Sequence, residues 1–305
     1  MPVEEVYDRL KQRLGGSVRQ DEQRARHTTY RIGGPAALFV ECASVSDLAE
    51  ATRALAEEGV EWTVLGKGSN VLAADEGYDG AVLVLGRDFK RHSLDGDHLR
   101  TGAGVILAAV VQDAFKQGLS GLEFAVGIPG TVGGAVAMNA GSRDNWIGSI
   151  VETVTLFVPG RGLVGVRGPE VGWGYRRSGL SARGIIVETV LRGTQSDQVD
   201  IRRSMEASLR RRTRSQPLSM PSAGSVFVNP DNDSAGRLIE AAGLKGHRIG
   251  GAAVSDVHAN FIVNAGGATA RDVIELIQLI RRTVKDDYGI ELRPEIRFLG
   301  SFLEP

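Results

Sequence analysis

A single cysteine in 305 residues excludes an internal disulfide and any multi-cysteine metal site. Cys42 is therefore expected to be an inert small residue at a strand end. The five histidines fall into no HExxH pattern and no cluster with Asp and Glu, so a metal is not expected. Charge of one sign is also missing: 36 Lys and Arg against 37 Asp and Glu leave a net charge of -1, with no general pull toward nucleic acid or an anionic membrane. Aromatic residues make up only 6% of the chain, and Trp62, Trp146 and Trp173 are scattered, which fits core packing rather than a base-stacking platform. No apolar run approaches the roughly 20 residues of a membrane helix. The opening MPVEEVYDRLKQRL is charged and amphipathic, unlike a signal peptide. The expectation is a cytoplasmic protein with no membrane insertion and no nucleic-acid partner.

What the chain has in abundance is glycine, 40 residues of it. Residues 127–141 read GIPGTVGGAVAMNAG, with only small, apolar or uncharged polar side chains between the glycines. Glycine costs conformational entropy, so a dense run makes sense where backbone must approach a ligand closely or where amides converge on an anion. A second loop, Gly66-Lys67-Gly68-Ser69-Asn70, follows a short apolar segment. It is not a Walker loop, which needs GxxxxGK followed by Ser or Thr. Nor is it a dinucleotide fingerprint, because position 71 is Val and the following Asp75, Glu76, Gly77 and Asp79 do not continue a crossover helix. What remains is a strand running into an anion nest, with Ser69 and Asn70 adding side-chain donors and acceptors. Two such loops in one chain point to a large nucleotide cofactor.

Strand and helix patterns alternate without internal repeats. Strand-like runs are expected at 38–41, 62–65, 81–85, 151–157, 163–166 and 185–191. Ser44 and Asp47 resemble a capping pair that opens a helix with Leu48, Ala51, Thr52 and Leu55 on one face and Gly59 at its end. Further helices are expected over 105–117, 197–214 and 237–242, and a long one opens at Thr269, buries Val273, Leu276, Ile277 and Ile280, and stops at Gly289. Residues 193–197 are the best domain boundary. The expected division is 1–195, with subdomains of about 1–86 and 87–195, and 196–305.

IGGPA at 32–36, VLGKGSN at 64–70, the 127–141 stretch, YRRS at 175–178, PSAGSVFVNP at 221–230, VHANFIVN at 257–264 and PEIRFLG at 294–300 occur in the order found in the UDP-N-acetylenolpyruvoylglucosamine reductase (MurB) family. The chain resembles that family from about residue 28 to residue 300. The resemblance implies an α+β protein: a two-subdomain FAD-binding fold of the vanillyl-alcohol-oxidase (PCMH) type plus a C-terminal α+β substrate-binding domain. It implies bound FAD, NADPH as co-substrate, and reduction of the enolpyruvyl ether of a UDP-sugar to a lactyl ether for peptidoglycan. A monomer is the default expectation.

The same resemblance assigns roles. Arg176 matches the carboxylate-binding arginine, and its planar guanidinium suits a carboxylate. Ser225 matches the serine that gives a proton to the intermediate, a role that makes sense only toward a strongly basic carbanion. Glu295 matches the glutamate beside them, and there it must carry a proton or be held by a cation. The cofactor-binding expectation covers Gly66, Lys67, Gly68, Ser69, Asn70, Gly127, Ile128, Pro129, Gly130, Gly133, Gly134, Ala135, Asn139, Gly141 and Arg297. Tyr175, Arg212 and Asn229 are expected to bind substrate. Val228 and Ser215 stand where the family commonly has basic residues, so the cation facing the pyrophosphate is open, with Arg212 the best-aligned candidate. Most of the arginines at 202, 203, 210, 211, 212 and 214 read as a solvated helix face. The span from Arg176 to Ser225 resembles the subclass without an extra tyrosine-bearing loop. His258 reads as a packed histidine. The rival functions are another flavin oxidase on the same scaffold and a non-catalytic FAD- or UDP-sugar-binding module.

Overall fold

The structure, a computed structural model, describes residues 2–14, 17–142 and 144–302. It forms two compact units. One comprises Met1–Gln20, Leu38–Lys67 and Gly80–Arg210, the other Asp21–Ala37, Gly68–Asp79 and Arg211–Pro305. A single cut near residue 196 does not describe this chain. Two short segments from the N-terminal half join the C-terminal unit because Tyr30, Ile32 and Leu72 are buried in its core.

In the first unit, α1 (Pro2–Leu14) buries Val6 and Leu10 and packs on α2 (Val45–Glu57). The start of α2 follows from its cap: Ser44 Oγ accepts from Asp47 N–H at 3.2 Å, and Asp47 Oδ2 accepts from Ala43 N–H at 2.7 Å. Leu48, Ala51, Thr52 and Leu55 are its buried stripe. Strands β1 (Val18–Gln23), β2 (Pro35–Cys42), β3 (Trp62–Val64) and β5 (Tyr78–Leu85) form a sheet in the order β1-β2-β5-β3, with β3 and β5 parallel. Between β3 and β5 the chain leaves this sheet to form β4 (Val71–Ala73), a detour that contains the Gly66 loop.

The second sheet of this unit holds β6 (His92–Asp95), β7 (His98–Gly102), β9 (Val151–Val158), β10 (Gly162–Arg167) and β11 (Ile185–Arg192). Its order is β10-β9-β11-β7-β6, antiparallel throughout, with irregular register at Ile186/Glu188 and Val190/Leu191. Two short strands, β8 (Leu119–Ser120) and β12 (Thr194–Gln195), pair apart from it. Helices α3 (Leu107–Lys116) and α4 (Val132–Ala137) pack on β7, and α4 also on β11. Cys42 closes β2 fully buried, and desolvation pushes its thiol up to about 12.

The division between the units falls inside α5 (Gln198–Ser215), between residues 210 and 211. The C-terminal unit is built on α6 (Ala235–Ala241), the antiparallel strands β13 (Arg248–Ile249), β14 (Ala252–Val254) and β15 (Ile262–Asn264), α7 (Ala270–Tyr288), and β16 (Arg297–Leu299) running parallel to β4. Thr269 and Asp272 form a capping box on α7, Gly289 ends it in the left-handed conformation, and Val273, Leu276, Ile277 and Ile280 are buried. Asp75 accepts from the N–H groups of Ala270 (2.8 Å) and Arg271 (3.0 Å), satisfying donors that a helix start leaves open.

Arg24 is fully buried and donates to three carbonyl oxygens: Gly34 (3.0 Å), Ala74 (2.8 Å) and Leu299 (2.8 Å). Burial lowers its pKa to about 10. These bonds tie the 21–37 segment to β4 and β16 within one unit.

Candidate active site

Within the first unit the two glycine-rich stretches meet. A Cβ built on Gly66 would stand 2.7 Å from Thr131 Oγ1, so only glycine fits there. The 127–141 segment threads against α3 and β7: Gly130 O accepts from Leu107 N–H at 3.1 Å, and the N–H groups of Val132 and Gly133 donate to Val105 O and Ala103 O, both at 2.9 Å. Thr131 caps α4 by accepting from Gly134 N–H at 3.3 Å. Gly66, Lys67, Gly127, Pro129 and Gly134 are exposed, while Ile128, Gly130 and Gly133 are partly covered and Ala135 is buried. A Cβ at Gly134 would have no neighbour closer than Thr131 Oγ1 at 3.5 Å. The result is bare main chain from two loops, uncharged but for Lys67, open to a ligand. That donor set suits a large phosphate-bearing cofactor, which needs close backbone approach more than charge.

Arg176 sits in the same unit on a tight turn in which Gly174 and Arg177 exchange backbone hydrogen bonds of 2.8 and 3.1 Å. Its φ is +53°, a conformation that costs a non-glycine residue energy and recurs where a side chain must be aimed. Its Nη1 donates to Gly141 O at 2.8 Å and its guanidinium lies 5.3 Å from the ring centroid of Tyr175, which is exposed. The turn is held from below. Asn139, 6% exposed, donates from Nδ2 to Gly174 O and accepts at Oδ1 from Gly148 N–H, both at 3.0 Å. Ser178 Oγ donates to Ala137 O at 2.9 Å. The side chain of Asn139 is thus spent on the backbone that carries Arg176. Glycine at 141 is required by packing, since a Cβ would meet Asn145 O at 2.3 Å.

Ser225 and Glu295 belong to the C-terminal unit and are brought together by backbone pairing. Glu295 N–H donates to Val226 O at 2.7 Å, Val228 N–H donates to Arg293 O at 2.9 Å, and Phe227 bridges Pro294. Ser225 follows Gly224, whose φ of +79° turns the chain into this pairing. The loop before it is pinned by Thr29 Oγ1 donating to Ser222 O at 2.7 Å and by Asn264 N–H donating to Pro221 O at 2.9 Å. Glu295 is half-buried, with Oε2 shielded from water. Asn70 Nδ2 donates to Glu295 O at 3.2 Å and Asn70 O accepts from Arg297 N–H at 2.9 Å, so Asn70 is anchored beside the glutamate through main chain. Gly68 is buried against His27 O, 2.4 Å from where its Cβ would lie, while Ser69 is partly covered and Arg297 exposed.

The remaining candidates differ. Asn229 accepts at Oδ1 from Ala235 N–H at 3.0 Å, which occupies it at the start of α6. Arg212 is partly covered on α5. Around it the solvated-face reading fits: Arg203 pairs with Asp200 and Arg210 with Glu206, all exposed. His258 packs against Phe261, and burial first, with Lys245 second, holds its imidazole below the ordinary histidine range. Among the described residues no group of three His, Cys, Asp or Glu could hold a metal.

Two residues of the site went unnoticed in the sequence, Asn260 and Thr29. The available signal was a polar side chain inside the apolar run VHANFIV, since a buried amide must find partners.

Fold and site together define a flavoprotein: residues 36–157 match the FAD binding domain family. A wild-type glucose dehydrogenase, 15% identical, shares the fold alone, over 65% of this chain and 44% of its own, at a TM-score of 0.50. Residues 216–299 match the family UDP-N-acetylenolpyruvoylglucosamine reductase, C-terminal domain. The reductase of Bacillus licheniformis is 42% identical over 98% of this chain and 99% of its own, and that of Heliobacterium modesticaldum 47% over 94% and 92%. The crystal structure of the MurB reductase from Thermus caldophilus, 38% identical, covers 92% of this chain and 99% of its own at a TM-score of 0.82. The chain belongs to the UDP-N-acetylenolpyruvoylglucosamine reductase family.

Proposed function

We propose that this enzyme uses NADPH to reduce the enolpyruvyl ether of UDP-N-acetylglucosamine enolpyruvate, giving UDP-N-acetylmuramate for peptidoglycan. The observation that carries the reading is the pairing of the segments that hold Ser225 and Glu295, through Glu295 N–H to Val226 O at 2.7 Å. It brings the backbone next to Ser225 against the backbone of Glu295, which supports a shared role for the two residues.

The exposed main chain of the Gly66 and 127–141 loops, with Lys67 nearby, would hold FAD, which when bound would supply the hydride for the far carbon of the double bond. The chain's own residues manage the charge that follows. Negative charge gathers on the substrate carboxylate, where the Arg176 guanidinium binds it more strongly than in the ground state; one such donor is typically worth about 3 kcal/mol. Glu295 is the carboxyl that acts on the substrate, and to do so it must carry a proton or be held by a cation. Ser225 Oγ–H gives its proton to the carbanion. Tyr175 and Arg212 bind the UDP-sugar, with Arg212 the cation for the pyrophosphate in place of the basic residues absent at 215 and 228.

The protein is proposed to work as a cytoplasmic monomer on small molecules; no helix among its described residues is long and apolar enough to cross a membrane. The test is NADPH oxidation followed in absorbance. It is expected to depend on UDP-N-acetylglucosamine enolpyruvate and to yield the lactyl ether one for one. Oxidation that ignores this substrate, or that needs oxygen as acceptor, discards the reading. Light scattering at the assay concentration checks the monomer.

A further inference from the structure

Asn260 is 3% exposed and sits in an otherwise apolar stretch of the C-terminal unit. Its Oδ1 accepts from Phe227 N–H at 2.9 Å and its Nδ2 donates to Phe227 O at 2.8 Å. Its own carbonyl accepts from Val226 N–H at 2.8 Å, and its N–H donates to His258 Nδ1 at 3.1 Å. One residue therefore grips both backbone groups of Phe227 and the N–H of Val226. The opposite side of the same backbone is taken by the 293–295 segment, where Val226 O accepts from Glu295 N–H and Val228 N–H donates to Arg293 O.

The arrangement has a consequence for geometry. A side-chain amide that mimics a neighbouring strand fixes the translation and tilt of the segment it holds, because both its donor and its acceptor must be met at once. Residues 226–228 are clamped between Asn260 and the glutamate-bearing segment. Ser225 is the residue next to that clamp, on the side of the left-handed Gly224, whose Cβ position borders open space. Without the clamp Gly224 gives the serine freedom to swing.

We infer that Asn260 is a positioning residue for the proton transfer: by holding the Val226–Phe227 backbone it fixes the Ser225 hydroxyl relative to Glu295. This rests on the proposed role of Ser225 as proton donor. Asn260 touches neither substrate nor cofactor in this scheme.

The decisive variant is Asn260→Asp in the full-length, FAD-loaded protein. The carboxylate keeps the shape and the acceptor for Phe227 N–H but sets an oxygen against Phe227 O, so the two-point grip is lost. Asn260→Ser is the companion, smaller and free of that repulsion. In rapid mixing, reduction of the bound flavin by NADPH is expected within about twofold of wild type, while reoxidation by the enolpyruvyl substrate slows by about a hundredfold, the usual cost of misplacing a reacting group by an ångström. A second reading needs no turnover. In the protein stripped of FAD, the amides of Phe227 and Val228 are expected to exchange with deuterium at least about tenfold faster in the variants, reporting the opened clamp. The third arm is the Ser225→Ala background, where adding Asn260→Asp should slow reoxidation no further, because the residue acts through the serine.

Reoxidation at the wild-type rate in a folded variant overturns the inference. Equal slowing of both half-reactions, undiminished slowing in the Ser225→Ala background, or failure of both variants to fold makes Asn260 purely structural and overturns it as well. If Ser225→Ala alone reoxidises normally, it is the proton-donor reading that falls, which the same experiment separates.

Discussion

At the scale of single residues, Arg176 and Ser225 make different demands on the same reaction. Arg176→Lys preserves the turn and the charge but cannot supply a planar fork, and it also gives up the Nη1 contact to Gly141 O. kcat should fall by about 10² to 10³, as for loss of one donor aimed at developing charge. A wild-type kcat in steady-state assays would make Arg176 structural. Ser225→Ala should leave flavin reduction by NADPH intact and slow reoxidation by orders of magnitude, since only the second step needs the proton; equal slowing of both, seen by stopped flow, removes it from that role. His258 governs a stability rather than a rate. Burial and Lys245 hold its imidazole below the ordinary value, and Nδ1 accepts from Asn260 N–H, which needs the lone pair. The unfolded chain therefore takes up a proton at higher pH than the folded one. Stability from the neutral ring is complete above the ordinary histidine pKa of about 6.5 and drains away as pH falls below it toward the folded value. Urea midpoints measured at about pH 7.5 and about pH 5.5 should differ more in wild type than in His258→Gln, which cannot titrate there. An equal difference in the two proteins would show that His258 titrates normally.

At the scale of elements, the adjacent glycines of α4 give a sharp contrast. A Cβ on Gly133 would stand 2.7 Å from Ala103 Cβ and 3.0 Å from Ala103 O, so Gly133→Ala must push aside the turn that follows β7 and destabilise. Gly134 faces open space and has ordinary helical backbone, so Gly134→Ala should stabilise the FAD-free protein by about 0.5–1 kcal/mol. The same methyl stands where the cofactor must come close, and FAD affinity in a fluorescence titration should drop by about tenfold, the equivalent of 1.4 kcal/mol. A higher Tm with unchanged FAD affinity would mean that the cradle lies elsewhere. This helix was not legible in the sequence, because six residues of VGGAVA carry no amphipathic period and two unfavourable glycines. Polar β6 and β7, reading HSLD and HLRTG, were equally opaque: their pairing is decided by β11 in another part of the chain. Elements with local signals were readable, as the Ser44–Asp47 cap of α2 and the Thr269 capping box and Gly289 stop of α7 show. The glycine loops, with Asn139 among them, and the ordered motifs around Arg176, Ser225 and Glu295 could be picked out, whereas the bonds Asn139 makes beneath Arg176 and the Asn260 clamp could not, since each depends on partners distant in sequence.

At the scale of the whole molecule, the interleaving of the two units makes a claim about folding. The contiguous match over residues 216–299 invites the idea that the C-terminal part is a free-standing domain. Its core says otherwise. Tyr30, Ile32 and Leu72 are buried in it, Tyr30 donates through its hydroxyl to Ile262 O at 2.8 Å, and Asn264 Nδ2 donates to Tyr30 O at 3.1 Å. β4 supplies the partner of β16, and Arg24 answers the carbonyl of Leu299. Three fully buried side chains at about 1.5–3 kcal/mol each amount to as much as a small domain's entire margin of about 5–15 kcal/mol. A fragment of residues 211–305 should therefore lack a cooperative thermal transition and bind a dye such as ANS, as loosely packed chains do. Within the full chain, Arg24→Met tests the same dependence without cutting anything: the carbonyls of Gly34, Ala74 and Leu299 each lose the guanidinium while keeping one backbone N–H donor, at about 0.5–1.5 kcal/mol per lost bond, and the midpoint of the C-terminal unit's unfolding should fall accordingly. A 211–305 fragment that melts sharply with dispersed amide resonances would show that the upstream segments only decorate a domain complete without them. Failure of the fragment, with Arg24→Met weakened in step, would mean that the residues carrying Ser225 and Glu295 find their register only after chain from both ends has closed around them.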